Sequence, residues 1–171
     1  MFGSVEALPS PKAFGSVGMN AVFASGRLYT SYDSLQHRFE PSFRAGVALL
    51  PGMTLGADIT LIGTFPKQIS PQYSTPAFAF GPNLGYFVAL PWPAVRPYVT
   101  AGISYFHVNV RSSGWRALLT GGCGVAFPHA PVYPAVELGW YHDRVTFRGL
   151  QTPAAFEGNM LHCGLRLMAS H

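Results

Sequence analysis

Charge is scarce in this sequence. Asp, Glu, Lys and Arg make up 11% of 171 residues while 49% are hydrophobic, against roughly 25% charged in an average soluble domain. So few charges can cover only a small water-facing surface, which suits a chain whose outer wall meets lipid. Cysteine is nearly absent as well. Cys123 and Cys163 fall on apolar faces of predicted strands that are not neighbours, so they read as small lipid-facing hydrophobes rather than a disulfide. The net charge of +4 hints at nucleic acid, but Lys12, Arg27, Lys67, Arg111, Arg144 and Arg148 are scattered and no basic helix or stacking module collects them, which excludes a nucleic-acid partner. His37, His107 and His129 lack metal spacing. Without a phosphate loop, a Cys–His pair or a redox pair, no catalytic residue, metal or cofactor is expected.

The chain also lacks a spanning helix. Ala77 to Val95 and Ala117 to Val136 are uncharged over the right length. The first carries Pro82, Pro91 and Pro93 and the second Pro128, Pro131 and Pro134, and an interior proline costs a helix about 3 kcal/mol. Met1 to Pro11 has neither the basic start nor the apolar core of an export signal, so export has to be inferred from the rest of the chain. Those residues read as a flexible lead (1–11), with one domain over 12–171.

What is present is a period of two. From Phe39 the odd positions Phe39, Pro41, Phe43, Ala45, Val47 and Leu49 are apolar and alternate with Glu40, Ser42, Arg44, Gly46 and Ala48. After a Leu50-Pro51-Gly52-Met53 turn, Leu55, Ala57, Ile59 and Leu61 alternate with Thr54, Gly56, Asp58 and Thr60. Strands of about ten residues, apolar outside and polar inside, mark a transmembrane β-barrel. Six more follow the same rule, at about Phe14–Ala24, Pro76–Leu90, Arg96–Val108, Trp115–Phe127, Tyr133–His142 and Phe156–Met168.

Eight strands result, with four long polar loops at one end (Ser25–His37, Thr64–Thr75, Asn109–Gly114 and Asp143–Ala155) and three short turns at the other. Aromatic girdles are expected at both ends. Phe14, Trp92, Tyr98, Phe127 and Tyr133 would lie near the turns, and Phe39, Phe78, Tyr105, Trp115 and Trp140 near the loops. Pro41 and Pro82 fall inside strands, where a missing N–H predicts a bulge or a shifted boundary. The fold class is therefore all-β, an eight-stranded antiparallel up-and-down transmembrane barrel, multi-pass in a bacterial outer membrane.

The segment Arg96-Pro97-Tyr98-Val99-Thr100-Ala101-Gly102-Ile103 resembles the strand entry of the small eight-stranded outer-membrane barrels, the superfamily of outer-membrane proteins A, X and W. Phe80-Gly81-Pro82-Asn83-Leu84-Gly85-Tyr86 precedes it, and Leu161-His162-Cys163-Gly164-Leu165-Arg166-Leu167 is similar to the family's closing strand. The resemblance runs from about Phe14 onward and rests on motifs generic to the architecture. It implies a structural or surface protein of the outer membrane. One departure stands out: family members usually end on an aromatic residue, whereas this chain ends Leu167-Met168-Ala169-Ser170-His171.

Parity turns Arg38, Glu40, Arg44, Asp58, Arg116, Glu137, His162 and Arg166 inward. An eight-stranded barrel is filled by side chains, and charges in it must be paired, so these residues are read as a salt-bridged interior rather than an ion path. His142 and Glu157 have outward parity beside the fourth loop. A His–carboxylate pair there could serve a lipid A-type acyl hydrolase, but the only hydroxyls nearby are Thr146 and Thr152, so the expectation is no enzyme. Arg27, Lys67, Arg111, Arg144 and Arg148 form a basic crown suited to the phosphates of lipopolysaccharide. Expected partners are that lipid, or another envelope protein through the loops or the outer wall. A soluble, lipocalin-like ligand-binding barrel is a further alternative, and it needs the reverse parity.

Overall fold

A computed structural model describes residues 12–25, 37–62, 77–92, 94–109, 112–127, 130–147 and 154–170. Eight strands form: β1 (Ala13–Ser25), β2 (His37–Leu50), β3 (Met53–Ile62), β4 (Ala77–Phe87), β5 (Val95–Asn109), β6 (Ser112–Val125), β7 (Val132–Phe147) and β8 (Ala154–Ser170). Each pairs antiparallel with the next, and β8 pairs back with β1, so the sheet closes without an edge. The lead before Lys12 lies outside the described residues.

The β2–β3 turn depends on Gly52, whose φ of 78° is open to glycine at little cost. Its carbonyl accepts from the Phe87 N–H at 2.7 Å, tying the hairpin to β4. Pro41 and Pro82 do not make bulges. β1–β2 pairing passes through Pro41 opposite Met19 without a change of register, and pairing with β3 begins only at Ser42, so on that side Pro41 has no ladder to break. Pro82 interrupts the β4–β5 ladder together with Gly81, and pairing resumes in the same register at Asn83 opposite Gly102.

Two of the four expected long loops are shorter than the sequence reading. β5 runs to Asn109 and β6 starts at Ser112, and β7 continues through Phe147 before β8 begins at Ala154. Gly114, read as loop, fills an inward strand position where a Cβ would strike the Phe106 ring and the Arg144 carbonyl.

Following Cα partners around the wall fixes the stagger. From Arg166 the row passes Gly18, Ser42, Thr60, Ala79, Phe106, Gly114 and Val145, then re-enters β8 at Phe156, ten residues nearer the loop end. Such a shear over eight strands corresponds to a tilt of roughly 40°, so each step along the row climbs about 3 Å toward the loops. With heights corrected for this climb, Phe23, Phe39, Phe78, Phe80, Tyr105, Trp115 and Trp140 gather in a belt about 7 Å deep. All seven are exposed outward. Below the belt, down to Val47, Val125 and Val132, the exposed wall is apolar for about 24 Å, close to the apolar height of outer-membrane barrels.

The interior has the opposite character. Glu40, Arg44, Asp58, Arg116, Glu137, Asp143, His162 and Arg166 are all buried, while Val17, Leu55, Val99, Leu138 and Leu165 are exposed. A soluble ligand-binding barrel needs the reverse, so the lipocalin-like alternative does not match this wall.

Candidate functional site

Side chains fill the barrel, with an apolar cluster toward each end. At the turn end Tyr98, Tyr133, Ala135 and Met168 cluster with Phe87 and Ala126, and Phe14 packs edge-on to Phe87 at 5.8 Å. Phe14, Tyr98 and Tyr133, expected in the outer girdle, are therefore inside. Their even or odd position in the strand, rather than nearness to a turn, decides which face they take. Trp92 and Phe127 are exposed at that end, as expected of girdle residues. At the loop end Val22, Ile62, Ala79, Phe106, Leu118, Tyr141, Val145 and Met160 make a second apolar cluster.

The charges pair above the turn-end cluster and in among the loop-end one, where Arg116 and Asp143 stand one inward position loopward of Leu118 and Tyr141. Glu137 is the hub of one cluster. Its Oε2 accepts from Arg44 Nη1 at 3.1 Å, Arg166 Nε at 2.9 Å and the Tyr98 hydroxyl at 3.0 Å. Arg44 Nε donates to Asp58 at 3.1 Å, and Asp58 also accepts from Thr60 at 2.9 Å. Arg166 reaches past Gly18 of β1 to Ser42 on β2 at 2.9 Å.

Arg116 is the hub of the second cluster, donating to Glu40 at 2.7 Å and to both oxygens of Asp143 at 2.8 and 2.9 Å. Tyr141 stands between the clusters, with the Arg116 guanidinium 4.5 Å from its ring centre and the His162 ring 4.3 Å away. His162 Nε2 lies 3.5 Å from Glu137 Oε1 without a hydrogen bond.

Seven of the eight inward residues singled out from the sequence thus sit together, but as two clusters rather than one. Glu40 belongs with Arg116 and not with Arg44 and Asp58. Asp143, placed in the fourth loop by the sequence reading, is buried and completes the Arg116 cluster. Its signal was available: Tyr141, Asp143 and Val145 continue the inward parity of β7. Arg38 enters β2 opposite Val22, and its side chain is not among those described.

The outer rim carries the remaining candidates. Above the aromatic belt the described outward side chains are His107, Ser113, Arg144, Thr146, Ala155, Glu157 and Asn159, all on β5–β8 and all but Ala155 polar. His142 and Glu157 do not meet. His142 Nδ1 is 3.0 Å from Asn159 Oδ1 and its ring stacks on Trp140, while Glu157 lies 3.6 Å from Arg144 Nε. Arg144 is exposed. The other members of the basic crown, Arg27, Lys67, Arg111 and Arg148, lie outside the described residues, as does Thr152. Among the described residues no group of His, Cys, Asp and Glu could hold a metal.

This is an eight-stranded, all-antiparallel barrel with a polar, filled interior and an apolar wall, the fold of the small outer-membrane β-barrels. Several solved structures share it. Neisserial surface protein A matches with a TM-score of 0.57 and 15% identity over 91% of this chain and 96% of its own. The outer-membrane protein AlkL, solved in lipid bilayers, matches with a TM-score of 0.54 and 11% identity over 95% of this chain and 91% of its own. No protein-family model and no curated protein sequence matches the chain.

Proposed function

We propose that this chain is an integral outer-membrane barrel that acts as a structural or surface-interaction protein through its loop end, without catalysis. The observation that carries the reading is the contrast between inside and rim. The interior is ion-paired and packed with an apolar cluster toward each end, leaving no described polar passage along the axis, whereas among the described residues the outward Arg144, Glu157 and Asn159 stand above the loop-end belt. Among the described rim residues the His–carboxylate pair of a hydrolase is not assembled. His142 is engaged by Asn159, Glu157 by Arg144, and Thr146 is the nearest hydroxyl on β7.

Planar-bilayer recordings on the refolded monomer test the filled interior, and no steady unitary conductance is expected. Steady unitary steps would overturn it. Incubation with lipid A followed by mass spectrometry tests the second half, and the acyl chains are expected to remain intact.

A further inference from the structure

We infer that the outward face of β6–β8, just above the loop-end aromatic belt, binds the phosphorylated sugar headgroup of a lipid in the surrounding leaflet, with Arg144 holding the phosphate. This rests on the membrane placement proposed above. Trp115, Arg144 and Glu157 are direct cross-strand partners on one row, and Ala117, His142 and Asn159 form the row beneath. Outward cross-strand partners stand about 5 Å apart, so this is one continuous patch. It lies at the height where headgroups begin, with Trp115 and Trp140 exposed at its lower border.

The chemistry of the patch selects the ligand. A guanidinium on an exposed arm is suited to bidentate phosphate binding. Its partner Glu157 is 3.6 Å away, and both side chains are more than half exposed. At that distance and exposure the pair is a weak competitor for the guanidinium, and a phosphate can replace the carboxylate. Glu157, freed, becomes an acceptor for hydroxyls. Ser113, Thr146 and the His142–Asn159 pair add hydrogen-bonding groups, as sugar hydroxyls require, and the Trp115 ring offers an apolar face beside them. A bare phospholipid headgroup would use Arg144 and leave these groups unmatched.

The test uses the full chain refolded in detergent and native mass spectrometry with three probes: a bis-phosphorylated diglucosamine glycolipid, its dephosphorylated form and phosphatidylglycerol. The wild type is expected to retain the phosphorylated glycolipid about tenfold more than either of the others, the order of effect of one charge-assisted contact. Arg144→Gln should bring the ratio to the dephosphorylated form near one, Arg144→Lys should recover part of it, and Glu157→Gln should leave the phosphate preference in place. Equal retention of both glycolipids by the wild type, or an unchanged ratio in Arg144→Gln, would overturn the site. Retention of phosphatidylglycerol equal to that of the phosphorylated glycolipid would overturn the sugar half. A wild-type chain with no heat-modifiable gel shift would overturn the membrane reading instead.

Discussion

Arg116 on β6 and Asp143 on β7 face each other inside the barrel through two parallel hydrogen bonds, Nε to Oδ1 at 2.8 Å and Nη2 to Oδ2 at 2.9 Å. Their Cα atoms are direct partners in the β6–β7 ladder, so the pair fastens together two strands whose loop ends stand above the aromatic belt. With Glu40 on the opposite side, Arg116 joins β6 and β7 to β2 across the barrel.

Removing Asp143 therefore leaves a buried guanidinium with one carboxylate instead of two. Asp143→Ala is expected to destabilise the barrel by about 3 kcal/mol, the usual cost of breaking a buried pair. Asp143→Asn, which keeps the shape and one acceptor, should cost less. The urea midpoint of the heat-modifiable band measures both.

Glu137 offers a sharper case because one oxygen serves Arg44, Arg166 and Tyr98. Glu137→Ala leaves Arg44 with Asp58 and Thr100 and Arg166 with serine hydroxyls. A loss of about 3–5 kcal/mol is expected. Combining it with Arg166→Met removes the uncompensated charge and should restore part of that loss. A double mutant as unstable as the sum of its parts would show that Arg166 does not need Glu137.

Much of this was readable in the sequence because a strand's period of two divides inside from outside wherever the outside is lipid. Glu40, Arg44 and Asp58 gave themselves away as polar residues between apolar ones. Asp143 did not. From the top of the belt upward the outward residues of β7 are His142, Arg144 and Thr146, so the alternation keeps its period but loses its apolar face, and the stretch reads as loop. Phe14, Tyr98 and Tyr133 misled for another reason. An aromatic residue near a strand end suits either an interfacial girdle or an internal cap, and only its parity separates the two. The split of the ion pairs into two clusters depends on heights set by the ten-residue shear, which no single strand reveals.

The membrane placement predicts a depth profile on the outer wall of β7 and β8. Leu165 lies near mid-band and is among the most exposed apolar side chains, so Leu165→Arg should cost about 2–4 kcal/mol in a lipid bilayer. Thr146→Arg, above the belt, should cost about 0–1 kcal/mol. Equal costs at the two positions in lipid-vesicle unfolding would contradict the placement.

Neighbouring glycines of β6 test the same division from within one strand. Gly122 points inward, where a Cβ would strike the Tyr98 ring and hydroxyl, whereas Gly121 points outward with nothing within 4 Å. Tyr98 cannot easily move aside, since its hydroxyl donates to Glu137 at 3.0 Å and its ring is packed against Phe87. Gly122→Val is therefore expected to destabilise by about 1–3 kcal/mol through overpacking and to weaken the Glu137 cluster with it. Gly121→Val adds a β-branched side chain to a lipid-facing strand position and should fall within about 0.5 kcal/mol of wild type, or above it. Paired denaturation curves decide the point. A larger loss at Gly121 than at Gly122 would mean that β6 is turned the other way and that the interior assigned to Tyr98, Arg116 and Thr120 is the lipid face.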